Sequence, residues 1–318
     1  MINADYLTYR SNYLSAIDLK HDHPIDISLE LSSYCNQRCG YCYHADKTNL
    51  PFKLGLMNID LAKSIIHQGA AIGVNSIKMN FRGESTVNPA FEEICQEAKR
   101  YANGITYIDR LTNSNFKFAT DREDIFRGLA CQTKVKISFD SFVPSVMEYQ
   151  RAGSIHELAL RNIEKFYNYH ARIKSETTIV IQAVRTLLNK DEDIAGEAKR
   201  RWPEVQVSIR DMVAGRVDRD LSALESVQRD TSERQSCIQA HARLLVGWDG
   251  KVQVCCPDIG SKLIIGDANK ESISEIWNSE KAKKIRQTLI DKTAFANEPC
   301  KSCSSYESYK GYRPPADS

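Results

Sequence analysis

The chain has no long hydrophobic run: nothing in its sequence approaches the roughly 18–20 consecutive apolar residues that a membrane-spanning helix needs. Charge of one sign is also missing. The 43 Lys and Arg residues are nearly balanced by 41 Asp and Glu, leaving a formal net charge of +2. Such a balance creates no global field for nucleic acid or an anionic membrane, and neither is expected as a partner. The N-terminal MINADYLTYRSNYL lacks the positive-then-apolar layout of a signal peptide. Internal repeats and low-complexity segments are absent too. These absences predict a cytoplasmic protein, and a chain of 318 residues buries a core without disulfide staples.

What the sequence does have is cysteine, ten in all. Reducing cytosol keeps them as thiols. All but Cys95 and Cys131 fall into two groups, one at 35, 39 and 42 and the other at 237, 255 and 256 with 300 and 303. Clustered cytosolic thiols point to metal ligation. Cys95 and Cys131 sit alone in apolar helical patterns and read as small buried hydrophobes.

Apolar β-branched runs alternate with amphipathic stretches. Strands are predicted at 25–31, 76–81, 106–113, 135–140, 177–184 and 205–210, and helices at 59–73, 89–103, 121–131, 155–170 and 191–201. Strand and helix in strict alternation imply a parallel α/β architecture, because parallel neighbours need crossover helices. The stretch after residue 212 is polar and reads as a linker. Beyond it LLVGWDGKVQVCC signals a hairpin around Asp-Gly, and 272–290 reads as one amphipathic helix.

CNQRCGYC places Cys35, Cys39 and Cys42 on one short loop directly after a strand. Three thiolates can hold three irons of a cubane and leave the fourth iron open, whereas iron–sulfur clusters usually take four cysteines. A zinc site closed by the nearby His44 is the alternative on spacing alone.

The loop resembles the signature of the radical S-adenosylmethionine superfamily, C-x3-C-x2-C with an aromatic before the last cysteine, a place filled here by Tyr41. The resemblance extends over residues 25–212. It implies that a [4Fe–4S] cluster with an open iron chelates S-adenosylmethionine. One electron, from a reductant such as flavodoxin or ferredoxin, then cleaves the cofactor to a 5′-deoxyadenosyl radical. Arg82, Gly83 and Glu84 are similar to the family's Gly-Gly-Glu segment at the methionine amine, with Phe81 and Ser85 departing from it. Thr112-Asn113-Ser114 matches the end of the third strand and makes Asn113 a cofactor-binding candidate. ISFDS nominates Ser138 and Asp140 for the ribose hydroxyls, on one face of a strand. Arg151 in YQRAGS and Gln182, with Asn189, are further polar candidates near the cofactor or substrate.

Cys237, then Gly250-x4-Cys255, then Cys300-x2-Cys303 resemble the start of a SPASM domain. No cysteine follows Cys303, so the shortened, Twitch-like form is implied, with one auxiliary [4Fe–4S] cluster on Cys237, Cys255, Cys300 and Cys303. Cys256 competes with Cys255, and a four-cysteine zinc knuckle is the alternative. The implied organisation is an N-terminal extension (1–24), a partial (β/α)6 barrel (25–212), a linker (213–235), a hairpin-plus-helix auxiliary-cluster domain (236–306) and a tail (307–318).

A cluster closed by four thiolates suits electron transfer, and so a two-electron oxidation of a C–H bond. Related short-module enzymes include dehydrogenases of aminocyclitols, which favours a sugar, cyclitol or nucleotide-like substrate. Arg210 and Asp211 at the end of the sixth strand are candidates to bind it or assist deprotonation. Maturation of a ribosomal peptide, by crosslinking or epimerisation, is the second reading. The roughly 24 residues before the first strand are few for a leader-binding domain. A non-catalytic zinc or iron–sulfur scaffold is the third, and leaves the ordered matches unexplained.

Overall fold

The computed structural model describes residues 4–102, 109–117, 119, 121–212, 236–301 and 303. Six parallel strands form its centre: β1 (Asp26–Leu29), β3 (Ser76–Lys78), β4 (Asp109–Ser114), β5 (Lys134–Ser138), β7 (Thr178–Arg185) and β8 (Gln206–Asp211). They lie side by side in that order, each paired in parallel with the next. The crossovers are α3 (Ile59–Ala71), α4 (Phe91–Ala102), α5 (Glu123–Leu129), α6 (Pro144–Gln150) with α7 (His156–Arg172), and α8 (Ile194–Arg201). The alternating β/α organisation therefore matches the expectation from sequence.

Strand alternation divides the molecule in two. Ile27, Ile77, Val135, Ile137, Ile179 and Ile181 turn to the helices and join one apolar core. The opposite face carries Asp26, Lys78, Lys136 and Ser138, a polar interior. Below it lie α1 (Ala4–Leu14) and α2 (Ala16–Leu19), whose Tyr9, Tyr13 and Ala16 pack with Ile25 and Ile238.

The predicted C-terminal hairpin is present as β9 (Arg243–Val246) and β10 (Lys251–Gln253), followed by β11 (Ile264–Asp267), and it continues the central sheet. After α9 (Ile238–Ala242), β9 pairs in parallel with β1, and the sheet continues as nine strands from β11 to β8. The unsatisfied edge of β1 is thereby covered. Gly250 makes the turn at φ +84, where a Cβ would lie 2.0 Å from Asn269 Nδ2. The helix expected over 272–290 is two, α10 (Ile273–Asn278) and α11 (Glu280–Ile290). Ser279 breaks it with an extended ψ of 149 and caps the second helix by accepting from the Ala282 N–H. The expected linker 213–235 and tail 307–318 lie outside the described residues. Among the described residues no helix is long and apolar enough to cross a membrane.

Candidate functional site

The three-cysteine loop sits at the C-terminal ends of the parallel strands, where open α/β sheets place their ligands. A two-stranded ribbon fixes it: β2 (Arg38–Cys39) runs antiparallel to β6 (Arg151–Ala152), with Cys39 opposite Arg151. Sequence reading missed this ribbon because each arm is only two residues long. The Gly40 N–H donates to the Gln150 carbonyl at 2.8 Å, and Lys47 and Lys117 donate to the Cys35 and Asn36 carbonyls.

Three of the predicted residues meet here. Tyr41 Oη donates to Asp140 Oδ2 at 2.5 Å, and Arg151 Nη2 to Asp140 Oδ1 at 2.8 Å. Asp140 also accepts from the Val184 N–H at 2.9 Å. Asp140 is thus filled by protein donors, and its part is to hold Tyr41 and Arg151. The Arg151 guanidinium in turn lies 3.9 Å from Cys39 Sγ. Asn189 braces the same corner, donating to the Asp140 and Val184 carbonyls.

Gly83 and Glu84 lie under the loop. A Cβ on Gly83 would stand 2.3 Å from the Ser32 carbonyl oxygen and 2.4 Å from that of Tyr34, so only glycine lets these backbones cross. Glu84 is buried. It accepts from Thr86 Oγ1 at 2.6 Å and from the Asn115 N–H at 3.0 Å, and it lies within electrostatic reach of Cys35. Arg82 departs from the cofactor-binding role expected of it. Its guanidinium is committed to Glu30 by two contacts of 2.6 Å, and it reaches the Ile259 carbonyl and Ser261 Oγ in the C-terminal module.

Ser138 and Gln182 are paired in register and face the interior, half-buried. Next to this row, Asn113 Oδ1 and Asn80 Oδ1 are buried acceptors with no hydrogen-bond partner. Asn80 was not read from sequence, although it lies two residues after Lys78 on the same face. Arg210 and Asp211 are both exposed at the end of β8, and alternation turns them to opposite faces, Arg210 lining the interior. They do not form one site.

In the C-terminal module Cys237 lies within electrostatic reach of Cys303 and Cys256, and Cys255 of Cys256, Cys237 and Cys303. The Cys303 N–H donates to the Cys300 carbonyl at 3.3 Å, folding the C-x2-C into a turn. The Cys256 thiol donates to Gln239 Oε1 at 3.1 Å, a competing engagement that favours Cys255 as the ligand.

Residues 237–304 match the SPASM family model, described as an iron–sulfur cluster-binding domain. Beyond that domain, the chain is similar to S-adenosylmethionine-dependent enzymes. Over 284 residues it is 21% identical to the S-adenosyl-L-methionine-dependent 2-deoxy-scyllo-inosamine dehydrogenase of Niallia circulans, covering 88% of this chain and 92% of the relative. Its fold resembles the crystal structure of BtrN in complex with AdoMet and 2-DOIA, with a TM-score of 0.57, 18% identity, and 88% and 92% of the two chains covered. It also resembles Streptococcus suis SuiB bound to the precursor peptide SuiA, with a TM-score of 0.64, 13% identity, and 90% and 73% covered.

The residues fit the enzyme's cofactors, S-adenosylmethionine and iron–sulfur clusters. Burial pushes the Cys35 and Cys39 thiols up to about 12, with Glu84 adding to the rise at Cys35 and Arg151 opposing it at Cys39. Burial likewise pushes Cys237 up to about 12 and Cys255 well above its ordinary value. The fit lies in their convergence: Cys35 is within electrostatic reach of Cys39 and Cys42, and Cys39 of Cys42, as three ligands of one cluster must be. The unpartnered Asn80 and Asn113 oxygens await a polar ligand at the same mouth. His44, the alternative fourth ligand for zinc, is packed between Tyr43 and Phe52. Burial and then Lys47 bring it down to about 4.

Proposed function

We propose that this enzyme oxidises the carbinol carbon of a sugar-, cyclitol- or nucleotide-like alcohol, a net loss of two hydrogens. The observation that carries the reading is the second thiol set. Cys237, Cys255, Cys300 and Cys303 give a cluster four protein ligands and no open position, which suits it to take an electron rather than bind substrate. The likeness to a dehydrogenase over 88% of this chain supports an alcohol as substrate.

When bound, the first cluster and S-adenosylmethionine would supply a carbon radical able to take a hydrogen atom from an unactivated C–H, water at the strand-end mouth would take the hydroxyl proton, and the second cluster would accept the remaining electron. The chain's own residues organise that chemistry. Cys35, Cys39 and Cys42 hold the first cluster. Glu84, whose carboxyl is raised by burial against its Thr86 and Asn115 donors, accepts from the methionine ammonium, and that cation favours its ionised form. Gly83 lets the backbone come close enough. Asn113, Ser138 and Gln182 offer the hydroxyl, carbonyl and amide groups that ribose hydroxyls pair with. Tyr41, Asp140 and Arg151 position the loop and keep a cation beside Cys39. Arg210 faces the interior and holds the substrate, with Asp211 left outside this assignment.

Anaerobic reconstitution with iron, sulfide and strong reductant tests the reading. Two cubanes' worth of iron and sulfide, 5′-deoxyadenosine that acquires deuterium from a carbinol-deuterated substrate, and a product two hydrogens lighter are expected. Zinc without acid-labile sulfide would defeat the cluster assignment, and a crosslinked peptide as sole product would defeat the oxidation.

A further inference from the structure

The polar face of the sheet holds a cavity of about 480 Å³ below the Ser138–Gln182 row. Its walls carry Arg10, Lys78, Lys134, Lys136, Lys199 and Arg210, against a single lining carboxylate, Asp109. In a chain whose net charge is only +2, this is a local concentration of one sign. Several of these cations are already engaged. Lys78 pairs with Asp26, Lys134 lies 4.9 Å from the centre of the Tyr6 ring, and Lys199 donates to the Pro203 carbonyl. Asp109 accepts from Thr133 Oγ1 at 2.6 Å. The side chains of Lys136 and Arg210 make no hydrogen bond or ion pair among the described residues.

We infer that this cavity receives the phosphoryl group of a phosphorylated substrate, held by Lys136 and Arg210 while the rest of the molecule extends to the Ser138–Gln182 row. Register supports the placement. Ser138 pairs with Gln182, Gln182 with Ser208, and Val184 with Arg210, so Arg210 overhangs the row while Lys136 lies one pleat beneath Ser138. A half-buried lysine among like charges, as Lys136 is, gains when an anion joins it. Burial, then Lys78, Arg210 and Lys134, push Lys136 down to about 7, the sign of a site crowded with like charge. A phosphate monoester carries close to two negative charges near neutral pH and offers three acceptor oxygens, which matches two unpaired cations with Lys134 nearby. A carboxylate brings only one charge.

The inference rests on the strand-end mouth being the reaction site, but its test reads binding, not turnover. The full chain, anaerobically reconstituted, is titrated calorimetrically with inorganic phosphate, and separately with acetate, at fixed ionic strength. Phosphate is expected to bind in preference to acetate. Lys136→Gln and Arg210→Gln should each weaken it by about tenfold or more, the usual size of one charge-assisted hydrogen bond. Lys281→Gln, an equal loss of charge at an exposed position of α11, should leave it unchanged. Absence of phosphate binding, preference for acetate, or wild-type affinity in Lys136→Gln would each overturn the inference. Iron and sulfide measured on the same samples report on the cluster assignment independently, so the two failures are distinguishable.

Discussion

Asp140 offers the sharpest perturbation of the site. It is fully buried, with Arg151 at 7% exposure, so the pair is desolvated on both sides. Replacing Asp140 by Leu leaves the guanidinium of Arg151 without its carboxylate, a change that costs about 3–5 kcal/mol when a buried pair is broken from one side. At roughly 2 °C per kcal/mol for a chain of this size, the melting temperature should fall by about 6–10 °C. The double variant Asp140→Leu with Arg151→Met removes the stranded charge. It should recover most of that loss, apart from about 1–3 kcal/mol for the Val184 N–H that no longer has an acceptor. Stability and cluster loading then part company. In the double variant Cys39 lacks its neighbouring cation and Tyr41 its anchor, so iron at the first site should stay low while the second site stays full. Thermal unfolding by circular dichroism and iron counting on anaerobically reconstituted protein read the two effects. A double variant as unstable as the single one would show that Arg151 is not what Asp140 sustains, and the account of this corner would fall.

Gly83→Ala should destabilise by at least about 1–3 kcal/mol and abolish 5′-deoxyadenosine formation, because the added methyl meets carbonyl oxygens that cannot rotate away. Wild-type melting and turnover in that variant would contradict the close crossing. Cys39→Ser should lose iron from the first site alone, and Cys303→Ser from the second alone with cofactor cleavage retained; Mössbauer or electron paramagnetic resonance spectra of each separate the cases. His241 is brought down to about 4 by burial and then by Arg286. Its unfolded form takes up a proton near pH 6.5 while the folded form resists, so stability should be fully present above about 6.5 and fall as pH drops towards 4. Denaturant titrations from pH 7.5 to 5 should show that slope, and His241→Gln should flatten it.

The six-strand rhythm was legible because each buried strand is a short β-branched run with a longer amphipathic stretch behind it. The cysteine spacings were legible because ligation to one cluster forces residues close in sequence or onto a tight turn. Other features depend on contacts that only folding creates. The β2–β6 ribbon has two residues per arm, below any periodicity signal. Arg82 follows a strand as a cofactor-binding residue would, yet Glu30, 52 positions earlier, takes its charge. The parallel pairing of β9 with β1 joins segments 217 residues apart, and nothing in the hairpin's own sequence names its partner. Lys136 gave no motif at all, since its significance lies in what surrounds it.

That last pairing has a mechanical consequence. β1 runs directly into the loop of Cys35, and β10, two strands away, runs directly into Cys255. Strands within a sheet hold a spacing of about 4.8 Å and shear very little. Under the proposed function, the path of an electron between the two metal centres would be set by the weave of a single sheet, braced by Arg82 across Glu30, Ile259 and Ser261. Tunnelling distance would then be a property of the fold, fixed before any substrate arrives.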